Sequence, residues 1–147
     1  MTGYWDALPE NMRSKIERTD SCWNWVGATN SRGYGSLTNG HGGTMLAHRS
    51  SYEATRGAIP AGLTIDHLCM NKVCVNPSHL EAVTGAENTR RAAASMTHCK
   101  HGHPLAGNNL RIKTLKDGAQ RRCCKTCAVR HAREYRLRSK ARTEQAA

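Results

Sequence analysis

Between Ile65 and Arg91 the chain reads IDHLCMNKVCVNPSHLEAVTGAENTRR, and this stretch constrains the fold more than any other. Cys69, Cys74 and His79 follow one another at Cys-x4-Cys-x4-His spacing, which supplies soft ligands suited to a closed structural zinc site. Interleaved with them are Asp66 and His67, with Asn88 further on, and an acid-histidine pair with an amide suits a hard, open magnesium site. One loop and one helix start must then serve two kinds of metal.

The rest of the chain needs such a staple. Its 147 residues include no Phe and 13 Gly, so apolar burial is thin, and a small domain with a smaller appendage is the expected size. Seven cysteines fit that need. No segment has the charged start, apolar middle and cleavage site of a secretory signal, and no apolar run approaches the roughly 20 residues that span a bilayer. A soluble, cytoplasmic, reducing setting without membrane contact is expected, where Cys and His at short spacing read as zinc ligands sooner than as disulfides.

Charge points to a partner. The formal net charge is +11, from 22 Lys and Arg against 11 Asp and Glu, and the arginines crowd into RRCCKTCAVRHAREYRLRSKAR near the C-terminus. A polyanion, DNA or RNA, is the natural partner for such a run, bound in a salt-dependent and largely sequence-blind way.

The patterning predicts an α+β chain. Trp5 to Arg18 reads as a short helix broken by Pro9 and ended by Thr19-Asp20-Ser21. Two strands are expected around Trp23 to Val26 and Gly33 to Leu37, then a flexible loop from Asn39 to Gly43 that leaves His41 in solvent. Ala47 to Arg56 is helical and stops at Gly57. A strand Leu63 to Ile65 delivers Asp66 and His67, Leu80 to Val83 is a second strand, and Thr84-x-x-Glu87 is a capping box that opens a helix with Asn88 in its first turn. This strand, loop, strand and helix are expected to converge on the Asp66-His67 end. After Met96 comes a second Cys/His cluster with a Lys116-Asp117-Gly118 hairpin turn, then a basic helix from about Ala128 to Arg142. The expected domains are 1–96 and 97–147.

Phosphodiester hydrolysis needs an activated water, charge compensation on the phosphate and help for the departing oxygen. His67 can be the base, Asp66 and Asn88 can hold the ion, and Arg49 can brace the phosphate. His48 reads as packing or support, and Trp23 and Trp25 as core. In the second cluster, Cys99-x3-His103 with Cys124-x2-Cys127 makes a four-ligand zinc set, while His98, His101 and Cys123 lie close enough in sequence to compete. Arg130, Arg133, Arg136 and Arg138 recur near helical spacing behind it, as in a DNA clamp.

Asp66-His67, Asn76-Pro77-x-His79-Leu80 and Glu87-Asn88 resemble the HNH endonuclease superfamily in its phage and intron-type form. So do Cys22-Trp23-x-Trp25, Gly33-Tyr34-Gly35, Ala47-His48-Arg49 and Ile59-Pro60-x-Gly62-Leu63, which extend the resemblance over about residues 20 to 95. His67, Cys69, Cys74, His79 and Asn88 are also similar to its His-Cys box branch. The resemblance implies a zinc-stapled ββα-metal nuclease domain followed by a C-terminal zinc module with a basic helix. By it Cys69, Cys74 and His79 bind zinc, Cys22 is the upstream fourth ligand, Asn76 pins the loop and orients His67, and Asn88 takes the metal role of the family's final His. The implied chemistry is hydrolysis of double-stranded DNA with one Mg2+ or Mn2+, leaving 5′-phosphate and 3′-hydroxyl ends, in a homing, packaging or restriction-like role. The alternative is a DNA-binding protein that keeps the fold and two zincs without cutting.

Overall fold

The computed structural model describes residues 3–38, 42–116 and 118–145. Asn39, Gly40 and His41 of the expected flexible loop, and Asp117 of the expected hairpin turn, lie outside the described residues. The chain forms two compact units, Met1–Asn88 and Thr89–Ala147. Each mixes helices with two-stranded antiparallel sheets, so the α+β expectation holds.

In the first unit, α1 (Tyr4–Ala7) and α2 (Glu10–Arg13) are single turns on either side of Pro9. The expected helix does not continue to Arg18. Ile16–Arg18 is instead strand β1, hydrogen-bonded to β2 (Trp23–Trp25) in the register Ile16↔Trp25. Thr19 closes that hairpin: its amide donates to the Cys22 carbonyl at 2.8 Å and its hydroxyl accepts from the Cys22 amide at 3.0 Å. A β-branched Ile beside a Trp partner satisfies its backbone better across the hairpin than in a turn already interrupted by proline.

β3 (Ser36–Thr38) pairs with β4 (Thr44–Leu46), a strand that the glycine-rich sequence conceals. Helix α3 (Ala47–Arg56) follows and ends as expected at Gly57, whose φ of 86° suits glycine alone. The core gathers Leu8, Met12, Trp25, Leu37, Ala47 and Val75, with Trp5, Ile16, Trp23 and Val73 against it. Gly35 is needed there, because a Cβ at that position would lie 2.7 Å from the Trp25 ring.

β5 (Leu63–His67) and β6 (Leu80–Thr84) form the central hairpin, with Leu63 opposite Thr84 and His67 opposite Leu80. Thr84 caps α4 (Gly85–Ser95) by accepting from the Glu87 amide at 3.1 Å, as the capping box predicts. β6 runs away from His67 and hands over to α4 at the end of the hairpin where Thr84 pairs with Leu63.

In the second unit β7 (Leu110–Thr114) pairs with β8 (Gln120–Cys124), and α5 (Lys125–Glu144) follows directly. α5 opens three residues before the expected start, since Cys124 caps it through a 3.4 Å contact from the Cys127 amide to its sulfur. Arg122 ties the unit together, donating to the carbonyls of Ala93, Ala94 and Met96 at the end of α4 and to that of Leu105. Those helix-end carbonyls lack intrahelical donors, and a guanidinium suits their partial negative charge.

Candidate functional site

The loop between β5 and β6 is built onto β2. The Trp25 amide donates to the Val73 carbonyl and the Val75 amide to the Trp23 carbonyl, each at 2.8 Å, so residues 73–75 extend the β1–β2 pair. This pairing sets Asn24 opposite Cys74 and brings Cys22 to the loop. From the other side α3 holds the same segment, Ser51 through the Val75 carbonyl and Arg56 through the Pro77 carbonyl at 3.0 Å.

Cys22, Cys69, Cys74 and His79 then place one ligand atom each within 4.8 Å of one another. Nδ1 of His79 lies 3.7 Å from the Cys22 sulfur and 3.6 Å from that of Cys74. A tetrahedral zinc with its usual bond lengths has sulfur-nitrogen edges of about 3.6 Å and sulfur-sulfur edges of about 3.8 Å. The cluster therefore has the size of a zinc cage. Burial pushes the Cys74 thiol up to about 12, whereas at Cys22 burial is outweighed by hydrogen bonds from Asn71, Cys74, Cys69 and Ser21, leaving that thiol below its ordinary value. Asn71, absent from the sequence reading, also donates to Asn24 at 2.8 Å and accepts from the Val73 amide.

The second cluster is Cys99, His103, Cys124 and Cys127, again within 4.8 Å. Nδ1 of His103 lies 3.4, 3.7 and 3.3 Å from the three sulfurs in that order, and the Cys99 and Cys127 sulfurs are 3.7 Å apart. The competing residues fall outside it. His98 meets Thr97, the His101 ring is 6.5 Å from that of His103, and Cys123 points to the other side of β8, toward the Arg121 carbonyl. Burial and the neighbouring sulfurs push Cys127 up to about 11, while at Cys124 burial is outweighed by the Cys127 amide and the Asn109 amide, which bring it down to about 6. Sulfurs this close repel as thiolates unless a cation sits among them.

Asn109 is a hub that the sequence reading missed. It donates to the Cys124 sulfur at 3.4 Å and to the Pro104 carbonyl at 2.6 Å, and it accepts from the amide and hydroxyl of Thr126 at 3.0 and 2.8 Å. No local motif announces an asparagine in that position.

At the end of β5, Asp66 and His67 are both buried. Nε2 of His67 lies 3.1 Å from the Cys74 carbonyl, which can only accept, so Nε2 carries the proton and Nδ1 the lone pair. Burial lowers the pKa of His67, and the raising effects of the Cys74 carbonyl and Asp66 do not reverse it, so the ring is neutral. His48 stacks edge-on to His67 at 4.7 Å, and Tyr34 lies 5.4 and 5.9 Å from the two rings. Burial, then His67 and Arg49, hold His48 down to about 3, and its buried Nδ1 has no partner among the described residues. His48 is thus part of the wall behind His67.

Asn76 caps the short 3-10 turn Pro77–His79, accepting from the Ser78 amide at 3.0 Å and donating to the Ser21 carbonyl at 3.3 Å. The His67 ring donates its hydrogen bond to the Cys74 carbonyl and not to Asn76. Arg49 is half-buried on the first turn of α3, beside His48, and Asn88 is half-buried one turn into α4. Glu81, which the sequence reading passed over, lies directly opposite Asp66 in the β5–β6 register. Arg130, Arg133, Arg136 and Arg138 are exposed on α5, which buries no residue along its length.

A β-hairpin thus leads to a capped helix, with a buried acid-histidine pair at the loop and a Cys/His cluster of zinc-cage size inside that loop. Residues 45–90 match the family described as HNH endonuclease, which bears out the resemblance carried by Asp66, His67 and the Asn76 to His79 segment. The chain is similar to Protein 2.8 of Escherichia phage T7, 39% identical over 84 residues that make up 56% of this chain and 57% of that one. It is similar to Protein 7.7 of the same phage, 38% identical over 71 residues, 48% of this chain and 53% of the relative. The uncharacterized gene 5.3 protein of Enterobacteria phage T3 matches 33% of this chain and 48% of its own length at 39% identity. The chain thus spans about half the length of the curated relatives it matches. No solved structure gives a significant match. Among the described residues no helix is long and apolar enough to cross a membrane.

Proposed function

We propose that this protein is a metal-dependent endonuclease that hydrolyses phosphodiester bonds of double-stranded DNA with His67 as general base. The observation that carries the reading is the bond from His67 to the Cys74 carbonyl: it leaves the Nδ1 lone pair of a neutral, buried ring as the proton acceptor. Nδ1 takes a proton from water, the water oxygen attacks phosphorus in line, and the 3′ oxygen leaves and is protonated by solvent. The products carry 5′-phosphate and 3′-hydroxyl ends. Asp66 and Asn88 would hold a magnesium or manganese ion, which supplies charge compensation for the phosphate and the leaving oxygen. Arg49 braces the phosphate, and Asn76 keeps the loop in place.

Zinc in both Cys/His clusters is part of this reading, supported by their tetrahedral dimensions. So is a cytoplasmic setting in a phage-infected host, which suits seven cysteines that form no disulfide. The nuclease domain ends within α4, and the C-terminal module with its α5 arginines binds DNA. A plasmid-nicking assay with magnesium tests the reading. The full chain should nick, and His67→Ala should be slower by about 10²-fold or more. Equal cleavage by both proteins overturns His67 as base. DNA binding without any cleavage would favour the non-cutting DNA-binding alternative.

A further inference from the structure

The positive charge of this protein belongs almost entirely to one unit. Thr89–Ala147 carries 15 Lys and Arg against three Asp and Glu, whereas Met1–Asn88 carries seven against eight. The nuclease-like unit by itself is close to neutral and offers little net attraction to a duplex. Attraction must come from the second unit, and α5 holds only part of its cations.

We propose that the face of the β7–β8 hairpin bearing Arg111, Lys113 and Arg121 is a second phosphate-binding surface for duplex DNA, distinct from the arginines of α5. This inference rests on the nucleic-acid reading above. The register places Lys113 directly opposite Arg121 and Arg111 opposite Cys123, so strand alternation puts all three cations on one face. All three are exposed, and among the described residues none forms an ion pair. The opposite face carries Arg122, which is engaged with the α4 and Leu105 carbonyls, and Cys124, a member of the second cluster. One face is therefore anchored to the module and the other is left charged and open.

Two like charges directly opposite in an antiparallel pair destabilise it. An anion between Lys113 and Arg121 removes that repulsion. A polyanion with evenly repeated charge satisfies the hairpin and α5 with the same chemistry, which favours a nucleic-acid backbone over an isolated acidic patch on a protein.

Equilibrium binding of the full chain to a fluorescent DNA duplex, measured over a salt series, tests this. Replacing Arg111, Lys113 and Arg121 together by Gln should make the slope of log K against log salt shallower by about two to three, since each lost phosphate contact removes about 0.9. The single variants Arg111→Gln and Lys113→Gln should each remove about one, and Arg111→Lys with Arg121→Lys should keep the original slope. Unchanged zinc content in each variant confirms that the module is intact. If the hairpin variants keep the wild-type slope while Gln at Arg130, Arg133, Arg136 and Arg138 flattens it, the hairpin proposal falls and the DNA reading stands. If the unmodified protein shows no salt-dependent DNA binding, both fall together.

Discussion

The sulfur of Cys22 lies 3.7 Å from Nδ1 of His79, although 57 positions separate them in the chain. The contact exists because β2 pairs with residues 73–75, so the Cys/His cluster and the strand pairing hold each other in place. Cys22→Ser should leave one zinc per chain out of the expected two. Loss of a structural zinc ligand should cost several kcal/mol, visible as a lowered melting temperature and weaker cleavage, because the carbonyl that orients His67 belongs to the same loop. Metal analysis beside a thermal melt checks this, and two retained zincs would contradict it.

Asp66 and Asn88 should differ from His67 in kind. Asp66→Ala and Asn88→Ala are expected to raise the magnesium concentration needed for half-maximal cleavage, whereas His67→Ala should lower the maximal rate at unchanged magnesium dependence. Magnesium titrations of the three variants separate these outcomes. Since α4 begins beside Leu63, Asn88 is the member of the set on which this test bears most.

Asn109→Ala removes the side-chain contacts to Pro104, Thr126 and the Cys124 sulfur around the second cluster. Zinc release to a chelator should become about 10- to 100-fold more favourable for one zinc of the two, the usual range for a residue that supports a ligand from behind. Release that matches the unmodified protein would show that Cys124 needs no such support.

Buried His48 should make the first unit sensitive to acid. Its folded value of about 3 lies below the ordinary imidazole value of 6.5, so the unfolded chain takes up the proton first. Stability from this group is full above pH 6.5 and is lost as pH falls toward 3, by at most about 1.4 kcal/mol per pH unit. His67 and Arg49 are the charged or titratable groups acting on it. Denaturant unfolding at pH 7 and pH 5 should show a smaller loss for His48→Leu than for the unmodified chain, and equal losses would remove His48 from the acid response.

Local patterns were legible where a few neighbouring residues decide the outcome. Gly57 ends α3, Thr84 and Glu87 open α4, and the Cys/His spacings mark both clusters, because a turn, a cap or a ligand pair involves groups only a few bonds apart. The α+β class, Asp66-His67 at a strand end and the basic C-terminal helix could be read in the same way.

Other features depend on partners distant in the chain. Ile16–Arg18 is a strand only because Trp23–Trp25 lies beside it, and β4 exists only through its pairing with β3. Cys124 and not Cys123 joins the second cluster because the β7–β8 register turns adjacent residues to opposite faces. The same parity in β7–β8 gathers Arg111, Lys113 and Arg121, and β5–β6 pairing sets Leu80 opposite His67 and Thr84, the cap of α4, opposite Leu63. The sequence by itself determined which cysteines, histidines, carboxylates and cations this protein has and the α+β class that holds them. Tertiary structure alone decided which of them meet, since strand register and side-chain parity are set by hydrogen bonds between segments that no local spacing encodes.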